Sequence, residues 1–93
     1  MTLAEVVAML DLPTAEDVAD LLRAHGVKGR WADACCCPVA TFVRCLVGER
    51  VTIGADRVSS MGGEEAVGLP PAAVKFVSRF DAADPAFADL VTP

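Results

Sequence analysis

The chain has 93 residues, with 13 acidic against 8 basic side chains, a formal net charge of −5 and 54% apolar residues. That length supports a single small globular domain over 1–93, since a chain this size buries roughly 60–65% of its unfolded surface. The acidic balance lacks the basic footprint of non-specific nucleic-acid binding, and no stretch reaches the ~18 uninterrupted apolar residues of a membrane span.

The N-terminus, MTLAEVVAML, has no basic leader region and carries Glu5, so a cytoplasmic chain is expected rather than a secreted one. Thr2 and Glu5 form a capping-box pattern. Leu3, Val6, Val7 and Leu10 then follow i, i+3, i+4, i+7 and predict one apolar helical stripe. Pro13 disfavours helical angles at Leu12 and ends this segment. Thr14 restarts a helix whose inward residues are Ala15, Val18, Leu21 and Leu22. Gly26 stands where a left-handed cap belongs, with Val27 as its apolar contact. Arg23 and His25 lie in the last turn, where positive charge is favoured.

GVKGRWADACC reads as a loop, and Trp31, the only tryptophan, is expected to pack against the core. Pro38 fits the first turn of a third helix. Val39, Phe42, Val43 and Leu46 form its stripe, and Gly48 stops it. The period then changes: Val51 and Ile53 alternate with Thr52 and Gly54, Val58 and Ser60 follow a turn near Asp56, and Gly62-Gly63 signals a hairpin. Pro70 and Pro71 open a fourth helix in which Val74, Val77 and Phe80 are expected to face inward, with Ala73 and Phe76 at the edge. DPAFADLV reads as a last helical turn with Asp84 as N-cap. The predicted fold is α+β, about four helices packed with a small two- or three-stranded antiparallel sheet.

Four cysteines, three of them contiguous at Cys35, Cys36 and Cys37, are the most specific feature. In a cytoplasmic chain they are expected as thiols rather than disulfides. Contiguous cysteines diverge, so at most two could share one zinc ion, and Cys45 would lie roughly 12 Å further along the helix. Cys37, directly before Pro38, would cap the third helix, a position that lowers a thiol pKa. The plainer reading is that the cysteines are small hydrophobes packed near the core. RAHGVKGR groups Arg23, His25, Lys28 and Arg30, but Glu16, Asp17 and Asp20 occupy the preceding helix, where a DNA-reading helix would meet phosphates.

GVKG at 26–29, CPVA at 37–40, VTIG at 51–54 and LPPAAVKFVSRFD at 69–81 together resemble a family of small proteins from actinobacteria and the bacteriophages that infect them. The likeness spans about residues 14–91. It implies a single cytoplasmic domain. It transfers no catalytic residues, because the family carries no established activity. Cys35 and Cys36 stand beside the family-like Cys37, so the resemblance does not make the triplet a shared site.

No nucleophile–base pair, phosphate loop or carboxylate pair stands out, so no enzyme, metal or cofactor is expected. The expected function is a non-enzymatic protein–protein interaction module, an accessory protein of a phage or mobile element that binds and modulates a host protein. The faces expected to bind are the first helix, through Leu3, Val6, Val7, Met9 and Leu10, and the hairpin edge around Met61. One alternative is a thiol-based redox sensor or metal binder using Cys35, Cys36 and Cys37; another is a small DNA-associated regulator.

Overall fold

A computed structural model describes residues 1–31, 33, 36–60, 62 and 65–92. Its elements are α1 (Leu3–Ala8), α2 (Ala15–Ala24), α3 (Pro38–Val47), strands β1 (Val51–Ile53), β2 (Arg57–Ser60) and β3 (Ala66–Gly68), α4 (Pro71–Asp81) and a C-terminal 3₁₀ helix (Pro85–Leu90). The fold is α+β, as the periodicities predict. No helix among the described residues is long and apolar enough to cross a membrane.

The helix ends follow local chemistry. Thr2 and Glu5 close the capping box, the Thr2 Oγ1 accepting from the Glu5 N–H and the Glu5 carboxylate accepting from the Thr2 N–H. Thr14 caps α2 by accepting from the Asp17 N–H. At the other end of α2, Gly26 takes φ +67°, and the N–H groups of Gly26 and Val27 donate to the carbonyls of Arg23 and Leu22. That is the paired bond pattern of a Schellman cap. The same pattern closes α4, where the N–H groups of Ala83 and Asp84 donate to Phe80 and Arg79. There the left-handed position is filled by an alanine, Ala83, at φ +61°.

The strands form one antiparallel sheet in the order β1-β2-β3. Val51 pairs with Ser60 and Ile53 with Val58; on the other side Val58 pairs with Val67. Val51, Ile53 and Val58 turn to the core, so the alternation read from the sequence holds. Of the predicted Gly62-Gly63 turn, Gly63 lies outside the described residues.

One core joins every helix to the sheet. α2 packs on α4, α1 on α3, and α3 on β1. Its largest sealed side chains are Phe42, Phe76, Phe80 and Phe87. Phe76 sits between Phe80 and Phe87, with ring centroids 5.8 and 4.8 Å away. Three expectations are corrected here. On α4 the inward face is Ala72, Ala73, Phe76 and Phe80, while Val74 and Val77 are only half-buried. Two apolar stripes, one residue out of phase, both fit that helix, and the larger aromatic pair takes the core. On α1, Leu3, Val6, Val7 and Leu10 are sealed in the core, so they are not a free docking stripe; Met9 is half-buried against it. A helix of six residues is marginal alone, and it persists because this stripe is buried. Finally, Trp31 does not pack inside: it is 51% exposed.

Candidate functional site

The loop that carries Trp31 is built from Gly29 outward. Gly29 bridges in parallel to Val91: its N–H donates to the Leu90 carbonyl at 2.9 Å, and its carbonyl accepts from the Thr92 N–H at 2.8 Å. Arg30 then donates its N–H to the Cys36 carbonyl at 2.8 Å, and the Asp33 carbonyl accepts from the N–H groups of Cys36 and Cys37 at 3.2 and 3.0 Å. Loop 30–36 is therefore closed at its base by main-chain bonds. The base is tight: a Cβ on Gly29 would fall 2.2 Å from the Pro38 N and 2.3 Å from the Cys37 carbonyl carbon. Glycine at 29 lets the loop seat directly against the start of α3.

Cys37 caps α3, with its Sγ accepting from the Ala40 N–H at 3.4 Å. The predicted position is correct, but the predicted consequence is not. Burial pushes the Cys37 thiol up to about 11, and the carboxylates of Asp81 and Asp33 push in the same direction. The amides of Ala40 and Val39 pull it down without prevailing. Desolvation of a thiolate outweighs the helix terminus here. Burial thus opposes at Cys37 the activation that its cap position predicts. Cys36 is half-buried and Cys45 exposed; Cys35 lies outside the described residues, as does Met61. Among the described residues no group of three or more His, Cys, Asp or Glu side chains could hold a metal ion. His25 and Phe42 form a T-shaped ring pair, with centroids 5.0 Å apart, so His25 belongs to the packing between α2 and α3.

Cys37 lines a cavity of about 650 Å³ between the loop, the β1–β2 turn and α4. Its apolar wall is Ile53, Ala55, Val74 and Val77 with Cys37; its polar groups come from Ser78, Asp33 and Asp81. Among the described residues no Lys, Arg or His lines it. This volume falls within the ~300–1,000 Å³ of ligand pockets. The half-exposed second stripe of α4 supplies the wall that the core does not use. A smaller cavity of about 440 Å³ lies between the α1–α2 connection and α4, where Arg79 already meets Glu16.

The C-terminal segment that holds Gly29 is itself held by two arginines. Arg23 reaches from α2 to Asp89 through Nε at 2.7 Å and Nη2 at 3.0 Å, and donates to the Ala86 carbonyl at 2.9 Å. Arg79 joins Glu16 at 2.6 Å and Asp84 at 2.8 Å and lies over the Phe87 ring. The guanidinium groups hold the carboxyls of Asp89 and Glu16 below their usual range; in Asp84 the Ala86 amide leads and Arg79 adds to it. By sequence Arg23 reads as a helix-end charge and as one of the basic residues of RAHGVKGR. Its partner lies 66 residues away.

The structure thus separates the predicted site residues. The α1 stripe is in the core, and the thiol cap is buried at the back of a cavity. Of the residues that do converge there, Ile53, Val74 and Val77 read by spacing only as inward-facing, and Asp33 and Asp81 were not singled out. Comparison with protein-family models, curated proteins and solved structures returns no match.

Proposed function

We propose that the chain is a non-enzymatic protein-interaction module that docks through the face made by loop 30–36 and the adjoining cavity. The observation that carries this is Trp31, 51% exposed on a loop whose base is closed by main-chain hydrogen bonds. Tryptophan is among the side chains that most often dominate protein–protein binding energy. Beside it, the buried, high-pKa Cys37 thiol suits packing better than nucleophilic or redox chemistry. The resemblance to proteins of actinobacteria and their phages makes a host protein the partner to seek first.

The test compares immobilised wild-type chain with Trp31→Ala in extracts of such a host. Trp31→Ala should keep its stability within the about ±0.5 kcal/mol of an ordinary surface change and lose the specifically retained protein. Equal retention by both chains would overturn the assignment of this face.

A further inference from the structure

Resting on that interaction reading, we infer that the docking face takes an acidic, extended segment of its partner, whose alternate carboxylates meet Lys28 and Arg30 beside Trp31. The backbone carries the first half of the argument. From Val27 to Arg30 burial alternates in, out, in, out. Gly29 is pinned in a parallel bridge to Val91, and a Cβ on it would run into Cys37 and Pro38 at the start of α3. Successive residues of an extended segment point to opposite faces, so Gly29 facing α3 sends Lys28 and Arg30 the other way, into solvent. Two residues of extended chain separate them by roughly 7 Å, the same repeat that an extended partner gives to carboxylates at every second position. Trp31 follows directly, so an apolar residue next to such a pair of acids would meet the indole.

Charge complementarity carries the second half. The chain is acidic overall, and Arg23, Arg57 and Arg79 are already paired with its own carboxylates. Lys28 and Arg30 are exposed and form no ion pair among the described residues. Asp89 feels the Lys28 charge, but both of its oxygens are bonded to Arg23. Two exposed cations and the exposed indole therefore share residues 28–31, on main chain whose hydrogen bonds fix their spacing. A single-stranded nucleic acid also offers anions and rings to stack, but its affinity grows with the number of phosphates neutralised. Two cations on a chain of net charge −5 suit a short acidic stretch of protein better.

The test is an NMR and fluorescence titration of the intact protein with the capped peptide Glu-Ser-Glu-Leu-Glu-Ser-Glu, which offers the same pattern in either chain direction. The peptide with glutamine in place of glutamate is the uncharged control, the one with lysine reverses the charge, and a short oligothymidylate is the nucleic-acid arm. The acidic peptide should shift the amides of Lys28, Gly29, Arg30 and Trp31 in a saturable way and change the emission of Trp31, the only tryptophan. The glutamine and lysine peptides should shift them little, and binding should weaken as salt is raised to about 0.5 M. Lys28→Gln and Arg30→Gln, each checked for an unchanged melting temperature, should each weaken binding roughly two- to fivefold. If either variant melts early, the other, together with the glutamine peptide, still decides. No shift at residues 28–31, an equal response to the glutamine peptide, or tighter binding of the oligothymidylate overturns the acidic partner. The two readings fail separately: a host protein lost by Trp31→Ala but retained when Lys28→Gln and Arg30→Gln are combined would leave the docking face and remove the acidic segment.

Discussion

Replacing Gly29 by alanine tests the packing that seats the candidate site. The added Cβ would meet backbone only, at 2.2 Å from Pro38 N, 2.3 Å from Cys37 C and 2.6 Å from Cys36 O. No side chain can rotate away, so the 27–30 segment and the start of α3 must part by on the order of 1 Å to restore normal contact. Overpacking of this kind costs typically ~1–3 kcal/mol. Separation also strains the bonds Gly29 N–H to Leu90, Thr92 N–H to Gly29, and Arg30 N–H to Cys36, each worth about 0.5–1.5 kcal/mol net. A total loss of about 3 kcal/mol follows, set against the ~5–14 kcal/mol that a chain of this length holds. At about 4–8 °C per kcal/mol, the melting temperature should fall by roughly 12–24 °C. Thermal unfolding followed by circular dichroism measures it, and Trp31 fluorescence reports on the loop at the same time. Gly68→Ala is the control, because nothing lies within 4 Å of its added Cβ; it should change stability by less than about 1 kcal/mol. If Gly29→Ala melts within 2–3 °C of wild type (about 0.5 kcal/mol), the close approach of loop and helix is wrong.

Three further outcomes follow from particular residues. Gly26 and Ala83 fill the same left-handed cap position with opposite chemistry, so Ala83→Gly should stabilise by about 0.5–1 kcal/mol and Gly26→Ala should destabilise by about as much; urea denaturation reads both, and a loss in Ala83→Gly would refute the cap geometry. Because the Cys37 thiol is raised from 9.0 to about 11, its proton is held more tightly in the folded chain. The corresponding stability is complete below pH ~9 and is lost as pH rises to about 11, by up to ~2–3 kcal/mol; Cys37→Ala should flatten that alkaline loss, and in wild type Cys45 should alkylate well before Cys37 at pH 7.5. Phe76→Ala removes a sealed ring between Phe80 and Phe87 and should cost about 3–5 kcal/mol, whereas Val77→Ala, on the half-exposed cavity wall, should cost under about 1.5 kcal/mol; equal losses would mean that the helix phase is wrong.

Elements and ends were legible because their causes are local. Thr2, Thr14 and Asp84 cap through amides two or three residues away, and Gly26 and Gly48 stop helices by backbone conformation alone. The change of period after Gly48 reports the sheet because alternation is a property of neighbouring residues. Even the placement of Cys37 at the start of α3 could be read from the proline after it. What that cap does to the thiol could not be read. The helix end lowers the pKa and burial raises it, and burial depends on what covers the residue.

The candidate site belongs to the second kind. Asp33 and Asp81 meet across one cavity although 48 positions separate them in the chain, and Arg23 finds Asp89 and Ala86 in a segment that no pattern linked to it. Valine, alanine and phenylalanine spacing on α4 admits two faces one residue apart, and the choice between them rests with the partners, α2 and Phe87, that surround the helix. Trp31 is 51% exposed on a loop whose base, at Gly29, seats against the start of α3, a contact between segments that spacing does not reveal. The sequence by itself determined where the chain turns, caps and alternates, since those choices involve a few adjacent residues. Only the tertiary structure decided which apolar face is spent on the core and which is left half-exposed, because burial is settled by contacts between segments distant in the chain.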